Sequence, residues 1–289
     1  LIIRQSLDPE SPYADAAVHG DGLTSLQYRE VRGERTYEIQ SSVAGPRRVR
    51  IEKRGQYVSM SIAKEGEELH PAGGAFRLSL DGSFYVGIGV CAHDNAVIEK
   101  AVFSNLELTT GAPVSSRLRL ISTIETVPIA SKDRRAVYSS TNLLGAPTWS
   151  RDGSNLVCTL RFSPAGGRVF RLSAAGGEPE MIDTGIATNL AWGHGISPDG
   201  KLLALTDVSN GGGSMIHVIP VTGGASRPIT KSGNSSWSGW SPDGQTLGYA
   251  AGRAGNSEIY AMPVGGGEGT PLASTRGSGG GADCSRDRR

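Results

Sequence analysis

Apolar and polar positions alternate in short runs through the first part of the chain, at residues 48–52, 57–62, 76–80, 85–90 and 101–108. A period of two sends every second side chain toward a core, which is the pattern of a half-buried strand. Turn signals separate the runs, among them Gly73-Gly74 and Asp81-Gly82. Regularly spaced alternating strands predict a β-sandwich of jelly-roll type over 1–110. Residues 1–37 would supply its middle strands, with Asp8-Pro-Glu-Ser-Pro12 as a loop. The alternation lapses at Gly111-Ala-Pro-Val-Ser-Ser116, so a linker is expected over 111–117.

Beyond the linker the pattern becomes a repeat. Trp149-Ser-Arg-Asp-Gly153, Ile196-Ser-Pro-Asp-Gly200 and Trp240-Ser-Pro-Asp-Gly244 share one frame, with serines spaced by 47 and 44 residues. After each anchor come an apolar strand (156–162, 202–208, 247–251), a second strand (168–172, 215–221, 258–264) and a Gly-Gly hairpin turn. The turns are Gly176-Gly177, Gly223-Gly224 and Gly265-Gly266, and a short strand with Pro near its start closes each unit. The anchor composition has a physical reason: Pro presets φ, Asp bonds back to the backbone and Gly supplies a positive φ. The large residue before the serine is expected to plug the gap between neighbouring units. A period of about 44 fits a four-stranded propeller blade.

These anchors and turns resemble the TolB-like β-propeller family, with its WD-like Ser-Pro-Asp-Gly signature. The resemblance runs from about residue 118 to the end and implies a propeller over 118–289. Residues 123–130 and 135–139 look like two strands with a Ser-Lys-Asp turn between them. In this family N-terminal strands often complete the last blade. Ser285 stands 44 residues after Ser241, with Cys284 in the Trp position, as a fourth anchor would. The fold class expected is therefore all-β, a partial sandwich followed by an incomplete propeller of three to four blades. A chain that opens at Leu1 in mid-strand and stops inside a repeat reads as a fragment truncated at both ends. In the first half, Tyr85-Val-Gly-Ile-Gly-Val-Cys-Ala-His93 and Ala101-Val-Phe-Ser-Asn-Leu-Glu-Leu108 resemble the closing strands of concanavalin-like (laminin-G-like) sandwiches.

Composition narrows the function. Lys plus Arg number 29 against 28 Asp plus Glu, so there is no basic surplus for a nucleic-acid partner. The 41 glycines in 289 residues are about twice the usual share and suit many tight turns. No apolar run reaches the ~20 residues that span a bilayer. Cys91, Cys158 and Cys284 are too far apart for a C-x-x-C motif and are read as small buried thiols, with one disulfide as the alternative. There is no G-x-S-x-G elbow, H-E-x-x-H or P-loop. No catalytic residue, metal or cofactor is therefore assigned.

The site residues expected are His194, Trp192, Asn189, Trp237 and Ser238, at the propeller mouth ahead of two anchors. Relatives, as the family pattern implies, often carry His at the position of His194 and again one blade later, where this chain has Ser238. A metal site needs three or four converging ligands. Oligogalacturonate lyases use a propeller of this kind with a metal held by several histidines, and the missing second His counts against that activity. Prolyl-oligopeptidase-type enzymes set a similar propeller beside a hydrolase domain, so the chain could also be one portion of a larger hydrolase. His93 with Asp94 is the conspicuous polar pair of the sandwich. The resemblance to TolB implies a non-catalytic binding or scaffolding protein of the bacterial envelope. Its location would be periplasmic or secreted, and its ligand a protein or a polysaccharide.

Overall fold

The computed structural model describes residues 1–92, 94, 96–111, 120–162, 166–209, 211–231, 234–253 and 256–274. Within these the chain is all β-structure with no helix, and so no helix long and apolar enough to cross a membrane. It divides into two compact units, Leu1–Thr141 and Asn142–Arg289.

The first unit holds eleven strands. They are β1 (Ile2–Arg4), β2 (Tyr13–Val18), β3 (Thr24–Arg29), β4 (Tyr37–Gln40), β5 (Arg48–Arg54), β6 (Tyr57–Ala63), β7 (His70–Pro71), β8 (Phe76–Arg77), β9 (Tyr85–Gly87), β10 (Ser122–Thr126) and β11 (Arg134–Ser140). The larger sheet runs β10-β11-β4-β3-β2-β1-β9, and the smaller joins β5, β6 and β7, with β8 also on β6. Ala14, Ala16, Leu26, Tyr28 and Ile39 of the first sheet share one buried cluster with Val58, Met60, Ile62 and Phe76 of the second. Alternation does the sorting: on β2, alanines 14 and 16 are buried while Tyr13, Asp15 and Ala17 stay half-exposed. Tyr28 and Phe76 stack across the sheets with ring centroids 4.0 Å apart.

Two expectations for this unit change. Residues 101–108 form no strand, and Val102, Leu106 and Leu108 are exposed. The hairpin 122–140, expected in the propeller, instead extends the first unit's larger sheet. There β11 pairs with β4 in parallel, Arg134 opposite Ile39 and Arg135 opposite Gln40. Asp133 fixes this placement. Its carboxylate accepts from the Glu38 amide at 3.2 Å and from Arg35 at 2.7 Å. Such long-range pairing leaves no trace in local alternation. The division accordingly falls after β11, while residues 112–117 of the expected linker lie outside the described residues.

The second unit consists of three four-stranded antiparallel sheets in chain order. Blade one comprises β12 (Leu143–Trp149), β13 (Asn155–Phe162), β14 (Gly166–Ser173) and β15 (Glu180–Met181). Blade two comprises β16 (Leu190–Ile196), β17 (Leu202–Asp207), β18 (Met215–Pro220) and β19 (Arg227–Pro228). Blade three comprises β20 (Ser235–Trp240), β21 (Thr246–Arg253), β22 (Asn256–Pro263) and β23 (Thr270–Ser274). Ser285 and Cys284 lie outside the described residues. The first strand of each blade precedes its anchor. Such strands, built from Gly-His-Gly or Ser-Ser-Trp-Ser-Gly, have low β-propensity and read as loops in the sequence. Packing imposes them: β16 lies on β12, β13 and β14, and β20 on β16, β17 and β18.

Each anchor closes in the same way. Ser150, Ser197 and Ser241 donate to Asp152, Asp199 and Asp243 at 2.6, 2.5 and 2.6 Å. Each serine oxygen also accepts, at 2.9 Å, from the amide of Asn155, Leu202 or Thr246. Gly153, Gly200 and Gly244 take φ of 71°, 78° and 70°, the left-handed region that glycine enters without steric cost. The hydroxyl bond from Ser150, with those from Ser154, holds the Asp152 carboxyl down at about 2. In the third repeat the left-handed glycine pair is Gly266-Gly267, one residue later than the sequence frame suggested.

The plug position before the serine divides the repeats. Trp240 is only 8% exposed and its indole N–H donates to the Gly195 carbonyl of blade two at 2.9 Å, whereas Trp149 is 50% exposed. Trp240→Phe is therefore expected to lower stability by about 1 kcal/mol, the net worth of one such bond. Trp149→Phe should change it by less than about 0.5 kcal/mol. Urea unfolding followed by tryptophan fluorescence measures both, and all four tryptophans lie in the second unit.

Candidate functional site

The expected site residues lie on or beside the first strands of blades two and three, at the rim where those strands begin. Asn189 stands just ahead of β16. Its side-chain oxygen accepts from the Gly167 amide at 3.2 Å, its own amide donates to Asp207 at 3.1 Å, and its carbonyl accepts from Val208 at 2.8 Å. Gly166, at φ 84°, passes so close that a Cβ there would lie 2.1 Å from the Asn189 side-chain oxygen. Asn189 is thus a fastener between blades one and two.

His194 sits inside β16, three residues ahead of the anchor Ser197, and is 3% exposed. Its ring reaches back into blade one. Nε2 is 3.3 Å from the Val157 carbonyl, which can only accept, so Nε2 carries the proton. Nδ1, 3.1 Å away, then accepts from the Thr159 hydroxyl. Both nitrogens are satisfied and no lone pair remains for a metal. Burial pushes the His194 pKa below its ordinary value.

The two tryptophans behave alike. Trp192 lies against Gly145 of blade one, where a Cβ would fall 2.5 Å from its ring, and keeps 38% of its surface exposed. Trp237 lies against Gly195 of blade two, where a Cβ would fall 2.2 Å from its ring. Its amide donates to the Thr206 hydroxyl at 3.0 Å, and its indole N–H is buried without an acceptor. Glycine at 145 and 195 is what lets an indole lie flat on the neighbouring strand. Ser238, half-buried, is the extra residue of a bulge in β20 between Trp237 and Gly239.

Sequence reasoning missed three participants: Thr159, Thr206 and Arg161. The threonines occupy the ninth position after their anchor serines; the Thr159 hydroxyl donates to His194 and the Thr206 hydroxyl accepts from the Trp237 amide, both on the first strand of the next blade. That shared position was the available signal. Arg161, at the end of β13, lies over the Trp192 ring with its guanidinium carbon 5.4 Å from the centroid. Nothing in the repeat marks it. His217, on β18, is buried with Nδ1 3.3 Å from the Ser226 hydroxyl and Nε2 unpartnered, and burial lowers its pKa as well.

Elsewhere, Asp94 is exposed and His93 lies outside the described residues. Cys158 is buried with its thiol pushed up to about 11 by desolvation, while Cys91 is exposed, contrary to the buried reading. Cys284 lies outside the described residues. Among the described residues no group of three His, Cys, Asp or Glu side chains could hold a metal.

No family model matches the sequence. An uncharacterized protein of Agrobacterium fabrum is 40% identical over 183 residues, covering 63% of this chain and 59% of that protein. A solved protein of Agrobacterium tumefaciens, assigned provisionally as TolB, is 40% identical with a TM-score of 0.54 over 58% of this chain and 59% of its own. The repeats build a TolB-like propeller. TolB of Acinetobacter baumannii shares the fold at 20% identity, with a TM-score of 0.50 over 57% of this chain and 41% of its own. The chain thus spans about three-fifths of the length of the Agrobacterium relatives it resembles.

The histidines set a pH dependence. A folded-state pKa below the unfolded value of about 6.5 means the folded protein binds fewer protons as pH falls past that value. Stability of the second unit is then complete above pH ~6.5 and declines below it until the folded values are reached. Urea midpoints by tryptophan fluorescence should fall across that window, and His217→Leu should make the decline shallower.

Proposed function

We propose that this chain is a non-catalytic binding protein that takes a protein or polysaccharide ligand at the propeller rim of Trp192, Asn189, Trp237 and Ser238. The observation that carries the reading is the pair of indoles from successive blades, each seated on a glycine of the preceding blade. Rigid aromatic anchors with little rotamer freedom to lose are what binding surfaces concentrate. His194 supports the same reading, because its two bonded nitrogens suit positioning rather than metal chemistry of the lyase kind. Localisation in the bacterial envelope, periplasmic or secreted, rests on the likeness to TolB at 40% identity. A sandwich of concanavalin type in the first unit would add a second recognition module.

Immobilised protein screened against arrays of envelope-derived peptides and glycans tests the proposal. A ligand found there should lose about tenfold or more in affinity on Trp192→Ala, as interface tryptophans do. Trp149→Ala, at the opposite rim, should leave it unchanged. Ligands indifferent to Trp192→Ala would place the site elsewhere.

A further inference from the structure

Arg161 is an unspent cation. Among the described residues it has no carboxylate within reach and no hydrogen-bond acceptor; its one interaction is with the Trp192 ring. Four other arginines of the second unit differ. Arg151, Arg171 and Arg227 each donate to main-chain carbonyls of the next blade, at Pro198, Val221, and Val264 with Gly265. Arg168, across the sheet from Leu160, gives one arm to the Gly167 and Thr188 carbonyls. Asp207, the acid of β17 at this rim, is buried and already accepts from the Asn189 amide and the Ser209 hydroxyl. Among the described residues no carboxylate therefore pairs with the Arg161 guanidinium.

A guanidinium held over an indole keeps its edge free, and that edge is a planar fork of N–H donors matched to a carboxylate. Stacking fixes the fork in advance, so little entropy is lost when an anion arrives. The backbone beside it departs from the regular ladder. In β16 the pairing with β17 jumps from Leu190 to His194, leaving Ala191, Trp192 and Gly193 against a single residue, Thr206. Main-chain groups in such a bulge have no ladder partner of their own and complement an extended peptide. A sugar would need a bare aromatic face, and Arg161 takes one face of Trp192.

We infer that this rim binds an acidic peptide segment, with the Arg161 guanidinium on Trp192 receiving a side-chain or terminal carboxylate and the β16 bulge meeting the peptide backbone. This rests on the rim-binding reading above and narrows it to one ligand chemistry. Arg161 and Trp192 carry the recognition, and Arg168 adds charge at the same edge.

Titration of the full chain with three probes, read by tryptophan fluorescence and calorimetry, tests it. The probes are a ten-residue peptide alternating glutamate and serine, its glutamine–serine counterpart, and a hexameric uronic oligosaccharide. The acidic peptide should bind best and weaken with added salt. It should lose about tenfold or more on Arg161→Gln. Arg161→Lys, which keeps charge but not the planar fork, should lose an intermediate amount, and urea unfolding of both variants controls for folding. Equal binding of the glutamine peptide, or acidic-peptide binding indifferent to Arg161→Gln, overturns the inference. Tighter binding of the uronic oligosaccharide overturns the peptide assignment. If a probe is lost on Trp192→Ala but not on Arg161→Gln, this inference fails and the rim reading stands; if no probe responds to either variant, both fail.

Discussion

One hydroxyl organises each blade. The anchor serine donates to an aspartate two residues on and accepts from an amide five residues on, so it closes a turn and starts a strand in one step. Because the side-chain period of a strand is two, a slip of one residue there would turn the whole core face outward. The serine fixes that register three times, at Ser150, Ser197 and Ser241, with bond lengths agreeing to within 0.1 Å. Leu203, Leu205 and Leu247, all buried, owe their inward direction to it.

From that registration the seams between blades follow. Once β13 and β17 are in phase, the ninth residue after the anchor faces the next first strand. Thr159 and Thr206 stand there and bond to His194 and to the Trp237 amide. These hydroxyls hold first strands whose own sequences, rich in glycine and serine, would not form strands unaided. The rim inherits its shape from this arrangement. Trp192 and Trp237 can lie flat only because β12 and β16 offer glycine at the contact.

The anchors, the strands that follow them and the hairpin turns were legible in the sequence because each rests on a local rule. A positive φ demands glycine, and alternation demands a face. What was not legible depended on distant partners. The first strands, the enlistment of residues 122–140 into the first unit's sheet and the failure of 101–108 to form a strand are all decided by which backbone lies alongside. The site divides similarly. Position in the repeat pointed to Asn189, Trp192, His194, Trp237 and Ser238. The burial of His194 and the stacking of Arg161 on Trp192 arise from a neighbouring blade, which no spacing within one repeat describes.

The arginines that cross the seams carry an evolutionary consequence. Arg151, Arg171 and Arg227 donate to main-chain oxygens, which every residue type possesses. Such a contact asks nothing of the side chain opposite. A duplicated blade brings its acceptors with it, and its sequence can then drift without breaking the joint. The seam thus constrains the position of main-chain oxygens and leaves the side chains that carry them free to change.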